Sequence, residues 1–376
     1  MKYYLIAGEA SGDVHGANLM RALLALDSEA RFRYFGGDRM QAVADGLIKH
    51  YKDTAFMGIL EVMIHLRKIS RYMETCKKEI LDFQPDVVIL IDYPGFNLRM
   101  AEFAKKKNIP LFYYISPKLW AWNQSRIKKI KAFVDRMFII LPFEKEFYRK
   151  FDIEVEYMGN PVIDEIEKRK KELRPRKQFF QENNLSEKPV IALLPGSRKQ
   201  ELRHNLPVML SLVGDYPDHQ FVIAGAPAFG EDDYAPYIHN TTVKVVFNAT
   251  YDLLGAAQAA LVTSGTATLE TALMNVPQVV LYRTNGPTYH IGKHFVRVEF
   301  ISLVNLILGE EAVTELIQYE VNHDRVKQEL DKILYDTPQL KQMLTRYRKL
   351  KKILGKPGVS DRVAARMIDL LKISEG

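Results

Sequence analysis

Short apolar runs separated by segments of helical periodicity set the pattern from the first residues. KYYLIAG (2–8) precedes a predicted helix over about 14–27, and DVVILID (86–92) precedes another over about 97–107. PLFYYIS (110–116) and DRMFIILP (135–142) follow, with an amphipathic segment between them. Runs this short, rich in β-branched and aromatic residues, fit strands buried on both faces. Strands alternating with helices predict a parallel α/β sheet.

The pattern then breaks. EIEKRKKELRPRKQFFQENNLSEKP (165–189) is dense in charge and lacks a continuous apolar stripe, which predicts a linker, part of it helical. Alternation resumes with PVIALLPG (189–196), HQFVIAG (219–225), VKVVFN (243–248), AALVTSG (259–265) and PQVVLYR (277–283). The expectation is two Rossmann-like, doubly wound α/β domains, 1–166 and 186–349. A basic helical tail follows, and its last part, about 350–376, either packs back on the first domain or exchanges between chains. Spacing leaves both open, and with them a homodimer. Paired domains of this kind bind their ligand in the cleft they face, at the carboxyl ends of the strands.

Composition narrows the class. A chain of 376 residues with 47% hydrophobic and 26% charged residues is ordinary for a folded two-domain protein. Cys76 is the sole cysteine, so no disulfide framework exists and a reducing cytoplasm is the default. No run approaches the roughly 20 apolar residues that span a bilayer. The opening MKYYLIAGEASGD reads as a first core strand, not a signal peptide. A formal charge of +7 favours an anionic partner: nucleic acid, an acidic lipid surface or a phosphorylated metabolite. The positive residues are scattered over both halves without a nucleic-acid signature, so nucleic acid is not expected.

Several stretches carry candidate chemistry. AGEASGDVHG places Gly8, Gly12 and Gly16 after the first strand in a G-x3-G-x3-G spacing, which meets neither nucleotide-binding glycine fingerprint. Glu9 and Asp13 add acidic groups to that rim, and Asp92 ends the strand in LIDYPGFNLRMA. An acid there acts as a general base, or else caps the next helix or pairs with a basic neighbour. In VTSGTATLE, Ser264, Gly265 and Thr266 turn a strand into a helix whose free N–H groups suit a phosphate. Glu270 lies one turn in and on the same face as Thr266, where it accepts two ribose hydroxyls or is simply solvated. LLPGSRKQEL makes a similar turn, with Arg198 placed to clamp a phosphate.

Apolar and aromatic excess points elsewhere. In FMGILEVMIHLRKISRYM (56–73), Ile59, Val62, Leu66 and Ile69 form one stripe while Met57, Leu60, Met63 and Ile64 lie off it. Such a segment suits an interfacial helix or acyl groove, or a thick core helix. Trp120 and Trp122 precede a basic helix and either stack a base, sit at a lipid headgroup or wedge the domain together. His290 and His294 are four apart but lack a following Glu and a third ligand, and no Asp-x-Asp occurs, so no metal is expected.

AGEASGD, MGILEV, SPKLWAW, LPFEKEFY, LLPGSR, SGTATLE and SLVNLI (302–307) occur in an order that resembles the lipid-A-disaccharide synthase family over essentially the whole chain. The resemblance implies a two-domain GT-B glycosyltransferase, inverting and without metal or other cofactor. It implies a UDP-2,3-diacylglucosamine donor, a 2,3-diacylglucosamine 1-phosphate acceptor, and a β-1,6-linked disaccharide 1-phosphate with UDP as products. It places the catalytic acid on Asp92 and the UDP contacts on Arg198, Glu270 and Asn305, with Ser264, Gly265 and Thr266 at the diphosphate turn. Gly8, Glu9, Ser11, Gly12 and Asp13 match the acceptor loop, where the glycines would make room for backbone and sugar near Asp92. Met57, Leu60 and Met63 are the expected lipid contacts, for peripheral work at the inner, anionic face of the inner membrane. Two departures stand out: Gly95 replaces a second acid found in many relatives, and Asn160 stands where relatives often have His.

Overall fold

The computed structural model describes residues 1–54, 66–120, 124–239, 241–284 and 299–374. The chain divides into two compact units, 1–161 together with 356–376, and 162–355.

In the first unit the strands are β1 (Lys2–Ala7), β2 (Arg31–Gly36), β3 (Leu47–His50), β4 (Val87–Ile91), β5 (Leu111–Tyr114), β6 (Arg136–Ile139) and β7 (Glu156–Tyr157). Their order is β3-β2-β1-β4-β5-β6-β7, and all pairings are parallel. The chain winds from β1 outward to β3, then returns to lay β4 on the other side of β1. That reversal is a topological switch point, the place where doubly wound sheets open for a ligand. β4 is buried along its whole length and β1 at every residue but Lys2, because helices cover both faces. β2 and β3 escape the apolar-run pattern: RFRYFG mixes exposed arginines with buried aromatics, and LIKH is only half-buried.

The first helix, Ala10–Leu26, starts four residues before the expected 14. Glycine disfavours helix by about 1 kcal/mol relative to alanine, which disguised this first turn as loop. Here the missing side chains bring helix and sheet together. A Cβ on Gly12 would lie 3.2 Å from that of Ala7, and one on Gly16 would lie 2.6 Å from Met40 Sδ.

The final helix, Val359–Ser374, returns to this unit of its own chain. Val363, Met367 and Leu371 join Ala17, Met20 and Leu23 of the first helix in one buried cluster. Arg366 Nη2 reaches Glu156 at 2.7 Å, and Arg362 donates to the Met158 carbonyl at 3.0 Å.

The second unit holds β8 (Val190–Leu194), β9 (Gln220–Gly225), β10 (Lys244–Phe247), β11 (Ala257–Thr263), β12 (Gln278–Tyr282) and β13 (Glu315–Ile317). The order is β10-β9-β8-β11-β12-β13, again all parallel, with the switch between β8 and β11. The charge-dense stretch is not a free linker. It forms the helices Val162–Lys171 and Arg176–Glu182, and both belong to this unit. Phe179 and Phe180 are each 1% exposed, in one cluster with Val190 and Ala192. The first unit therefore ends at Pro161, earlier than the expected 166.

Candidate active-site residues

Asp92 directly follows β4, beside the turn that follows β1, since Ala7 and Ile91 are register partners. Asp92 and Tyr93 have φ of 45° and 48°, two successive non-glycine residues in the left-handed region. Such a conformation costs energy and persists only where its surroundings hold it. Asn97 Nδ2 donates to the Asp92 carbonyl at 2.7 Å and Tyr113 Oη donates to the same oxygen at 2.6 Å. The Asn97 amide also spans the carbonyls of Ile91 and Ile6, at 3.3 and 3.4 Å. Pro94 then opens the helix Pro94–Lys106 at its first position, where its missing N–H costs nothing.

Burial pushes the Asp92 carboxyl up to about 6, with the Glu9 charge adding to the rise and Lys118 and the Tyr93 N–H opposing it. A carboxylate tuned near 6 is mostly ionised at neutral pH and is a better base than a solvated one.

The glycine-rich stretch does different work from the work expected of it. Only Gly8 and Glu9 lie in the turn; Ser11, Gly12 and Asp13 are in the first turn of the helix. The space over Gly8 is filled by the Tyr93 ring, which a Cβ would strike. With Ala7 against Gly12 and Met40 against Gly16, these three glycines make room for the protein's own side chains. Asp13 is 2% exposed. Its Oδ1 accepts from the N–H groups of Gly37 (2.7 Å) and Met40 (3.1 Å), and its Oδ2 from Arg39 (3.0 Å). Asp13 is thus a framework anchor for the turn after β2, while Glu9 and Ser11 stay exposed at the rim.

Glu144 joins two of the motifs. Its Oε1 accepts from Ser116 Oγ at 2.5 Å and Trp120 Nε1 at 3.1 Å, and its Oε2 accepts from the Leu141 N–H at 3.1 Å. Burial pushes its carboxyl up to about 7 against those bonds. Trp120 packs edge-on against Phe143 at 4.9 Å and so wedges the domain; Trp122 lies outside the described residues. The loop so clamped, which follows β5, the strand paired with β4, leaves Lys118 exposed between buried Pro117 and Leu119. Lys118, Asn97 and Tyr113 went unread in the sequence because their importance comes from neighbours across the sheet.

At the second switch point the turns after β8 and β11 come together. Gly196 has a φ of 109°, and a Cβ there would strike Glu201. Glu201 Oε2 accepts from the N–H groups of Ser197 (2.9 Å) and Arg198 (3.2 Å). The Arg198 side chain is 70% exposed, with its guanidinium 3.6 Å from Glu201 Oε1. Ser264 Oγ donates to the Ile301 carbonyl at 3.0 Å. Gly265 and Thr266 are exposed where the helix Thr266–Leu273 begins, and a Cβ on Gly265 would meet nothing within 4 Å. Among the described residues nothing fills the space there, unlike the space over Gly8, and a helix start with open space suits an anionic ligand. Half-buried Glu270 accepts from Tyr251 Oη at 2.7 Å, and burial pushes its carboxyl up.

Asn305 departs from its expected role as a UDP contact. It is fully buried, and its amide is saturated. Nδ2 donates to the Val313 carbonyl and Glu315 Oε1, each at 2.8 Å, while Oδ1 accepts from Ala312 N (2.7 Å) and Val313 N (3.0 Å). With Glu315 also accepting from the N–H groups of Ile301 and Ser302, the SLVNLI segment is the buttress behind the Ser264 turn.

Met57, Leu60, Met63, His290 and His294 lie outside the described residues. Among the described residues no cluster of three or more His, Cys, Asp or Glu could hold a metal ion.

The family model described as Lipid-A-disaccharide synthetase matches residues 3–366. Lipid-A-disaccharide synthase of Syntrophus aciditrophicus is 38% identical over 378 residues, covering 99% of this chain and 98% of that one. The Coxiella burnetii protein of the same name is 37% identical over 334 residues, 88% of each. Among solved structures, UDP-GlcNAc 2-epimerase from Neisseria meningitidis bound to UDP-GlcNAc has a TM-score of 0.72 at 13% identity, covering 98% of this chain and 100% of that one. The calicheamicin glycosyltransferase CalG4 has a TM-score of 0.63 at 15% identity, covering 100% and 99%. At such identities these two likenesses speak for the GT-B fold alone. With a family model spanning nearly its whole length, the chain belongs to the lipid-A-disaccharide synthase family.

Proposed function

We propose that this protein joins two acylated glucosamines, transferring the sugar of UDP-2,3-diacylglucosamine to the 6-hydroxyl of 2,3-diacylglucosamine 1-phosphate with inversion. The observation that carries the chemistry is Asp92, pinned at the first unit's switch point with its carboxyl raised to about 6. In the proposed step the acceptor O6 attacks the donor's anomeric carbon, and the bond from that carbon to the UDP oxygen breaks. The hydroxyl proton passes to the Asp92 carboxylate, and the electron pair leaves with UDP. Negative charge grows on the departing diphosphate, where the helix start at Gly265–Thr266 and the exposed Arg198 side chain would stabilise it. Glu270 would hold the ribose hydroxyls. The residues named suffice for the step without a metal.

The acyl chains of both substrates and the +7 charge support peripheral work at an anionic membrane face. No helix among the described residues is long and apolar enough to cross a membrane.

UDP release from UDP-2,3-diacylglucosamine tests the reading. Release should require the monosaccharide 1-phosphate. Release without an acceptor, or 2-epimerisation of a UDP-sugar, would replace it with the chemistry named for the Neisseria neighbour.

A further inference from the structure

Glu270 belongs to a chain of contacts that starts in the helix Val162–Lys171. Arg169 Nε donates to Glu165 Oε1 at 2.7 Å, and its guanidinium lies over the Tyr251 ring, 5.6 Å from the centroid. Tyr251 Oη in turn donates to Glu270 Oε1 at 2.7 Å. Three helices thus converge on one carboxylate: Val162–Lys171, Thr250–Ala256 and Thr266–Leu273. The phenol commits one oxygen of Glu270, and among the described residues no donor reaches the other. The charge near Glu270 is also arranged. The like charge of Glu165 disfavours the ionised form, and the Arg169 ion pair offsets it, while the phenol bond favours ionisation directly. A carboxylate with one oxygen held by the phenol presents the two lone pairs of its other oxygen in a single orientation, which suits recognition of a vicinal diol.

We propose that Tyr251 is a positioning residue for donor recognition: its hydroxyl fixes the Glu270 carboxylate so that the open oxygen accepts the ribose hydroxyls of the nucleotide, and Arg169 holds the Tyr251 ring in place. The inference rests on the reading that Glu270 meets the donor's ribose. It adds that the affinity for the diol is set from outside the nucleotide's own contacts, by the helix at the head of the second unit.

The test uses the full-length protein and titration calorimetry with UDP and 2′-deoxy-UDP. In the wild type, losing one hydroxyl against a fixed carboxylate should weaken binding about tenfold. Tyr251→Phe keeps the ring and removes the donor, so UDP should bind about tenfold more weakly and the UDP to deoxy-UDP ratio should fall to about two. The acid limb of UDP binding should also move to higher pH, since the bond favouring ionised Glu270 is gone. Arg169→Gln, the second variant should the first fold poorly, should lower the ratio in the same direction. A Tyr251→Phe protein with normal melting and an unchanged ratio overturns the inference. A wild type that binds UDP without discriminating the deoxy form instead overturns the ribose reading of Glu270 beneath it.

Discussion

Replacing Asp92 by Asn should make the protein more stable and nearly inactive, and the pH dependence of the gain identifies its cause. The folded-state carboxyl lies at about 6, above the unfolded value near 3.8. The folded state therefore holds its proton more tightly, and ionising Asp92 costs stability. That cost is absent well below pH 4, grows as pH rises through 4 to 6, and is constant above. Two units correspond to about 3 kcal/mol, and partial exposure of the side chain reduces this to about 1–2 kcal/mol. Asparagine is neutral at every pH, nearly isosteric, and tolerates the left-handed φ of 45°. Thermal unfolding at pH 7.5 should show the transition of the first unit about 2–8 °C higher in Asp92→Asn, and at about pH 3 the two proteins should coincide. Turnover should fall by about 10²–10⁴ while UDP affinity is kept. A full gain that persists at about pH 3, or a loss at pH 7.5, would refute burial as the source of the raised carboxyl. Near-normal turnover would remove Asp92 as the base.

Glu9→Gln removes the like charge beside Asp92, so the acid limb of kcat/KM should move to lower pH; a shift upward would contradict the assigned sign. Asn305→Ala strands the buried partners of a saturated amide and should destabilise the second unit by about 3 kcal/mol or more. The UDP affinity of the protein that remains folded should stay within about twofold, and a tenfold loss at normal stability would return Asn305 to the donor site. Gly8→Ala pushes a methyl into the Tyr93 ring and should cost about 1–3 kcal/mol while lowering turnover through the displaced Asp92 turn. UDP binding by this variant, read by calorimetry, should be unchanged.

Much of the fold was legible because buried parallel strands write themselves as apolar runs. Both central strands of each sheet, β1 and β4, β8 and β11, were visible this way. The edge strands β3 and β13, and β2 beside β3, were not, since exposed residues toward a sheet margin break the run. The charged 165–189 stretch hid its helices because only a few residues, Ile166, Phe179 and Phe180 among them, are inward. At the site, positions after strands were readable, but the direction of each side chain was not. Asp13 looked like a rim group by place in the chain and Asn305 a UDP contact by family resemblance, yet both are buried with their side-chain hydrogen bonds made internally. Tyr251, Asn97 and Glu144 were silent for the opposite reason: each acts through a partner many residues away, and no local spacing encodes that.

The central claim is a single displacement in which Asp92 takes the acceptor's proton as UDP departs. Its most direct test follows UDP and disaccharide together by NMR, with wild type and Asp92→Asn, both substrates present and EDTA added. The account predicts one UDP per β-1,6-linked disaccharide in wild type, unaffected by EDTA, and almost none in the variant. UDP released without disaccharide, an α-linked product, or a fully active variant would contradict it.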